Sequence, residues 1–355
     1  MKNVFVDFPT TLAVPPAIPD EKFRDWFSVP SSGPVIEHLS AILWNQEIAP
    51  KYWQAARLSR SAYIYREIAT DWKIVAKFYK PKTGKNAIRH SEHEYQRTQL
   101  AWDYLSDEHE LRSVKPLGVW GGVLFLEFIK GLTLEDKIAI RRNQPGKLFH
   151  LLENAGKLLS QLHTFSIQKK VSPDFGLAAD YTYKLVDNLA KHGVLQFHSD
   201  VQHELIRLIE KWSTGRLMWD FPPTLNHGDA TTTNIIFPPD GGAVAIDWEH
   251  SEYADPAADL GRLMAEVTHS VNKYGGNYSE GVTYANKLAA AYCEEFNLNG
   301  NSDSLVHRAR FYQAASTLRI ARNGWLPRMD RLALVLQAFA LFSQETNLQQ
   351  DQLCK

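Results

Sequence analysis

Within His227-Gly228-Asp229-Ala230-Thr231-Thr232-Thr233-Asn234 an aspartate precedes an asparagine in the pattern H-G-D-x-x-x-x-N, and a second aspartate follows in Ile246-Asp247-Trp248. This set of oxygen-bearing groups suits phosphoryl transfer to a hydroxyl, which asks the protein for positioning and charge stabilisation more than for covalent chemistry. One aspartate must accept the hydroxyl proton. A second aspartate and the asparagine must hold Mg²⁺ against the phosphates of ATP, because Mg²⁺ takes hard oxygen ligands and few of them from protein. The stretch supplies all three groups.

Positioning them falls to a predicted hairpin. Asn234-Ile235-Ile236-Phe237 and Ala243-Val244-Ala245-Ile246-Asp247 read as strands around the turn Pro238-Pro239-Asp240-Gly241-Gly242. Folding about that turn sets Asn234 opposite Ile246 or Asp247, so the two metal-ligand candidates stand side by side. Upstream, residues 62–68 and 73–79 alternate as strands about the polar break Thr70-Asp71. Alternation puts Ile74, Ala76 and Phe78 on one face and Val75, Lys77 and Tyr79 on the other. A helix is predicted from about Ser91 to Leu105, with Tyr95, Thr98, Trp102 and Leu105 along one stripe. Residues 117–120 and 123–128 then flank Gly121-Gly122 as a tight hairpin. After Gly131 the spacing is mostly helical: Thr133 and Asp136 suit a helix cap, and Leu148, Leu151, Leu152, Ala155, Leu158, Leu159 and Leu162 form one strongly amphipathic helix.

The expected organisation is a Pro-rich extension over residues 1–50 with one short helix near Ile36 to Gln46, a small α+β lobe over 51–130 and a helical lobe over 131–355. The 355-residue chain is long enough for two such cores. With 39 basic against 40 acidic residues the net charge is −1, so nothing favours nucleic acid or an anionic membrane as partner. Cys293 and Cys354 lack metal-ligand spacing. The first residues lack the apolar core of a secretory signal, and no apolar run reaches the ~20 residues that span a bilayer. A soluble, cytoplasmic protein is expected, its oligomeric state undetermined by sequence.

This order of motifs resembles the aminoglycoside phosphotransferase/choline kinase family of protein-kinase-like small-molecule kinases, over roughly residues 55 to 345. The resemblance implies a bilobal α+β fold with ATP in the cleft, Asp229 as catalytic base, and Asn234 and Asp247 as Mg²⁺ ligands. Asp255-Pro256-Ala257-Ala258-Asp259-Leu260 matches the family's Asp-Pro-x-x-Asp-Leu continuation. There Asp259 would buttress the catalytic loop from a helix start, with His227 as a second support. Lys77 resembles the strand lysine on the α/β-phosphates, with Lys80 as the fallback. Glu94, rather than Glu92, would hold that lysine. Phe125-Leu126-Glu127-Phe128-Ile129-Lys130-Gly131 resembles the interlobe hinge, with the Glu127 carbonyl and the Ile129 N–H as candidates to read adenine and Leu126 behind them.

One departure stands out. The loop Leu58-Ser59-Arg60-Ser61-Ala62-Tyr63 has no glycine, so Ser59, Ser61 and Arg60 are the candidates for phosphate contact there, against an ordinary turn. His163 reads as a structural histidine at a core helix end. Arg319 and Arg322 share a helical face that suits an anionic substrate or, more simply, salt bridges. Glu280, Glu294, Glu295 and Asp303 are acids available to a cationic acceptor. The function expected is transfer of the γ-phosphate of ATP to a hydroxyl of a small molecule such as an amino alcohol, a sugar or an aminoglycoside-like compound. Only seven residues separate Asp247 from Asp255, too few for an activation loop, which disfavours a protein kinase. The alternative from another class is a nucleotide-binding pseudokinase acting as scaffold or sensor.

Overall fold

Apolar alternation draws the chain around Tyr63 into antiparallel strands, and the sheet they form organises the N-terminal region. The computed structural model describes residues 25–30, 33–43, 52–69, 71–79, 86–105, 110–143, 146–168, 174–196, 198–296 and 302–344. The described residues up to Glu92, together with Leu117–Phe128, make one compact unit; His93–Pro116 and the described residues from Ile129 onward make the other.

The first unit begins with β1 (Phe27–Val29) and α1 (Pro34–Leu43), followed by β2 (Trp53–Arg57), β3 (Ala62–Glu67) and β4 (Lys73–Phe78). α2 (Ala87–Tyr104) runs from the first unit into the second, and β5 (Leu111–Ser113) belongs to the second. β6 (Pro116–Trp120) and β7 (Val123–Glu127) return to the first sheet, whose order is β1-β2-β3-β4-β7-β6. Gly121 and Gly122 turn between them at φ +58° and +87°, the paired positive values that match a two-residue turn to strand twist. Ile74 and Ala76 are buried with Phe78 packed against them, as alternation predicts, while Val75 and Lys77 are half-buried on the other side.

The Pro-rich segment does more than lead in. β1 pairs with β2, and Ile36 and Leu39 of α1 join Trp53, Tyr65 and Phe125 in the core. Pro34 opens α1, where a missing N–H costs nothing. The stripe of α2 also differs from expectation. Ser91, Glu94, Thr98, Ala101 and Leu105 are buried, whereas Tyr95 and Trp102 are half-buried. Trp102 instead lies under cations, with Lys115 Nζ 5.4 Å and the Arg112 guanidinium 5.9 Å from its ring. Small side chains mark the inner face here, and aromatic weighting passed over them.

The second unit continues with β8 (Leu132–Thr133), α3 (Leu134–Ala139), α4 (Lys147–Phe165), α5 (Gly176–Lys191), α6 (Ser199–Thr214), β9 (Thr224–Asn226), β10 (Ile235–Phe237), β11 (Ala243–Ala245), β12 (Glu252–Ala254), α7 (Pro256–Lys273), α8 (Tyr278–Glu295), α9 (Ser302–Ala321) and α10 (Arg328–Ser343). Thr133 and Asp136 cap α3 reciprocally. One small sheet has the order β5-β11-β10-β8, and β12 pairs with β9. α7 packs against both α8 and α9. A side chain at Gly261 would overlap the Ala309 carbonyl, so the α7–α9 approach depends on glycine there. Trp212, Phe175, Phe311 and Phe342 fill the core among α5, α6, α9 and α10. Among the described residues, no helix is long and apolar enough to cross a membrane.

Candidate active site

β9 ends at Asn226, and the chain leaves it through a turn that only glycine can make. Gly228 sits at φ +77°, and a Cβ there would collide with the His250 carbonyl. The turn leaves two amides without ladder partners, and Asp259 takes both: His227 N donates to Oδ2 at 2.5 Å and Gly228 N to Oδ1 at 3.0 Å. Asp259 lies in the first turn of α7, completing the buttress expected from sequence. His163 Nε2 adds a contact to Oδ2 at 3.2 Å, while its Nδ1 lies 2.7 Å from the Tyr292 hydroxyl. His163 is fully buried and structural. Burial pushes the Asp259 carboxyl up, but the hydrogen bond and charge of His163, with the hydrogen bond from the His227 backbone N–H, outweigh it and hold the group below the usual carboxylate range.

His227 ties the loop to the neighbouring strand. Its Nδ1 accepts from Asp229 N at 3.3 Å, which leaves the Nε2–H to donate to the Ile246 carbonyl at 2.9 Å. Its ring packs on the buried Trp248 at 4.5 Å between centroids. At the far end of the loop, Asn234 N donates to the Thr231 carbonyl at 3.1 Å. Asn234 Nδ2 donates to the Asp229 carbonyl at 3.0 Å and approaches Asp229 Oδ2 at 3.3 Å. The amide nitrogen is thereby committed, and Oδ1 remains as the side chain's acceptor for a cation.

The predicted hairpin register is present. Ile235 pairs with Ala245, and Ile246 N donates to the Asn234 carbonyl at 3.0 Å, so Asn234 stands opposite Ile246. Asp247 follows just beyond the end of β11 at φ +69°, a conformation that costs a non-glycine residue free energy and is typical of functional turns. Carboxylate oxygens of Asp247, Glu94 and Glu249 lie within 4.8 Å of one another. This set of hard oxygens suits Mg²⁺. Glu94 is buried and Glu92 exposed, and the structure brings Glu94 together with Asp247 and Glu249.

Three charged groups around the loop escaped sequence reasoning. Arg262 Nη1 lies 2.7 Å from Asp229 Oδ1. Glu266, one turn further along α7, pairs with Arg319 of α9. Burial pushes the Glu266 carboxyl up, against the lowering pull of the Arg319 charge. Glu135 of α3 donates its N–H to the Thr232 carbonyl at 2.9 Å and pairs with Lys273 at 2.7 Å. The signal was available: Asp259, Arg262 and Glu266 recur at helical spacing from a residue already placed against the loop.

In the first unit, Lys77 is half-buried on β4 opposite Ala62 and Leu124, its Nζ 5.6 Å from the Tyr79 ring. Lys80 lies outside the described residues. Ser59 caps its own turn: its Oγ accepts from Ser61 N at 3.3 Å and Ala62 N at 3.1 Å, and Ser59 N donates to the Ala62 carbonyl at 3.1 Å. Several loop amides therefore point inward, while the Arg60 side chain is exposed and that of Ser61 half-buried. Glu127 ends β7, and the chain passes from one unit to the other between Phe128 and Ile129. Arg319 is the salt-bridged residue that the simpler reading expected, while Arg322 is exposed. Among the acids proposed for a cationic acceptor, Glu280 pairs with Arg141 at 2.9 Å and Glu295 lies 3.8 Å from Lys157. Glu294 is exposed, and the side chain of Asp303 lies outside the description.

An antiparallel sheet of this order, a helical unit, and a glycine turn leading to Asp229, Asn234 and Asp247 define a protein-kinase-like fold. The chain belongs to the phosphotransferase enzyme family, whose model matches residues 75–297. Similar solved structures include a choline kinase from Cryptosporidium parvum, with a TM-score of 0.56 at 11% identity over 90% of this chain and 96% of that one. A second is choline kinase LicA from Streptococcus pneumoniae, with a TM-score of 0.52 at 14% identity over 86% and 97% of the two chains. A third is the streptomycin–ATP–APH(2″)-IIa ternary complex, with a TM-score of 0.53 at 14% identity over 87% and 97%. At these identities the likeness is one of fold. No curated protein matches the sequence.

Proposed function

We propose that this protein is an ATP- and Mg²⁺-dependent kinase that transfers the γ-phosphoryl group of ATP to a hydroxyl of a small molecule. The observation that carries the reading is the catalytic loop. Asn234 folds back onto Asp229, and the same residue's backbone pairs with Ile246, one position before Asp247.

In this reading Asp229 accepts the acceptor's hydroxyl proton. The hydroxyl oxygen bonds to the γ-phosphorus, the bond to the β,γ-bridging oxygen breaks, and ADP leaves with the electron pair. Asp247 and Asn234 Oδ1 would hold Mg²⁺, with the Glu94 and Glu249 carboxylates beside them, and the bound metal would supply charge neutralisation at the phosphates. Lys77 contacts the α/β-phosphates, Ser61 and Arg60 reach them from the β2–β3 turn, and Glu127 and Ile129 read adenine through their backbone groups. Acceptors worth testing are amino alcohols, sugars, nucleosides and aminoglycosides, in a cytoplasmic setting.

The decisive experiment is ATP consumption across that panel, with and without Mg²⁺. Metal-dependent turnover on one class supports the reading. Mg²⁺-dependent ATP binding without turnover on any class would favour the pseudokinase, for which the inward-turned amides of the Ser59 loop speak.

A further inference from the structure

The side of α7 that faces the catalytic loop carries charges beyond the buttress. Arg262 follows Asp259 by three residues and Glu266 follows Arg262 by four, so all three line one side of the helix. Arg262 reaches Asp229 Oδ1 at 2.7 Å, with the two side chains 23% and 29% exposed. Glu266 is paired from the other side by Arg319 and lies within electrostatic range of both Arg262 and Asp229. Charges therefore alternate from α9 to the loop in the order Arg319, Glu266, Arg262, Asp229.

We infer that Arg262 is a positioning residue for phosphoryl transfer: it fixes the Asp229 carboxylate by holding Oδ1. This rests on Asp229 being the base. The physical argument concerns rotamers. A half-exposed aspartate at the start of an irregular loop has freedom about two side-chain torsions, and proton acceptance requires one orientation. Asn234 Nδ2 approaches Oδ2 at 3.3 Å, a weak restraint beside the charged 2.7 Å contact on Oδ1. Arg262 thus selects which oxygen is held and leaves Oδ2 as the one turned toward an incoming hydroxyl. A guanidinium on a packed helix does this better than a loop group, because α7 is anchored against both α8 and α9.

The test uses phosphate release from Mg·ATP with water as the acceptor, calorimetric Mg·ATP affinity and melting temperature. Arg262→Met keeps the apolar stem. It is expected to slow release by ~10- to 100-fold, the range associated with a misplaced catalytic group, while affinity and melting temperature stay near wild type. Arg262→Lys should recover much of the rate, and free guanidinium should partly rescue Arg262→Ala where ethylammonium does so less. The double variant Arg262→Met/Asp229→Asn should be no slower than Asp229→Asn, since both remove one function. Wild-type release in Arg262→Met, or a double variant with multiplied losses, overturns the inference. If Arg262→Met loses stability, the guanidinium rescue decides, and absence of rescue in folded Arg262→Ala overturns it. Asp229→Asn at wild-type rate would instead sink the base reading itself.

Discussion

The β2–β3 turn of the first unit and the loop from His227 to Asn234 in the second are both candidate phosphate-handling segments, and they are held in opposite ways. The turn is held from within: Ser59 caps its own amides, and its neighbours are exposed. The loop from His227 to Asn234 is held from outside by buried groups distant in sequence, namely Asp259, His163, Tyr292 and the Ile246 carbonyl. A self-capped surface turn adapts locally when one residue changes. A loop fixed by a buried network moves only when that network breaks, and then at high cost.

Four substitutions measure that contrast. The largest effect is expected for Asp229→Asn, which keeps shape but cannot take a proton. Its kcat should fall by ~10² or more, about 2.7 kcal/mol, with calorimetric ATP·Mg²⁺ affinity nearly unchanged. Near-wild-type turnover would remove the catalytic loop from the comparison altogether.

Asp259→Ala comes next. It strips the acceptor from two loop amides and from His163, so unfolding free energy should drop by ~3–5 kcal/mol, read by chemical denaturation. A pH series sharpens the point. Because the Asp259 carboxyl is held below its ordinary value, its contribution is present above the unfolded carboxylate range and is lost only as pH falls through the lowered folded value. Hydrogen exchange of the His227 and Gly228 amides should therefore show undiminished protection from pH 8 down to about 5 in the wild type.

Lys77→Ala should lower kcat/KM by ~10² through loss of charge beside the phosphates, without altering stability. Equal loss of stability would mean that Lys77 belongs to the sheet's packing. Smallest is Ser59→Ala, which removes two bonds from an exposed turn. A change of about 1 kcal/mol or less, seen as a KM for ATP within a few-fold of wild type, is expected. An effect as large as that of Asp259→Ala would erase the distinction between the two segments.

Much of this was legible in the sequence for a physical reason: strand alternation and turn chemistry act over a few residues. The β3–β4 pair, the Gly121-Gly122 turn and the β10–β11 register around Asn234 all follow from local spacing. The buttress by Asp259 was reached through resemblance, and its hydrogen bonds to His227 and Gly228 now give it a cause. What stayed hidden were interactions closed by tertiary packing. The pairing of β1 with β2 joins residues some 26 positions apart, across a proline-rich stretch that local rules read as irregular. The stripe on α2 was displaced because Ser91 and Ala101 carry little hydrophobic signal. Arg262 and Glu266 look like ordinary charged helix residues until α7 is set against the loop.

The missing side chain at Gly261 carries a consequence for how the position of the His227–Asn234 loop can be altered. It lies between Asp259 and Arg262, and it lets α7 rest on the backbone of α9 at Ala309. The loop from His227 to Asn234 is thus gauged from behind, by the thickness of a helix contact. Substitutions in α9 around Ala309 can therefore shift α7, and with it the Asp259 carboxylate that holds the His227 and Gly228 amides, without touching the loop itself.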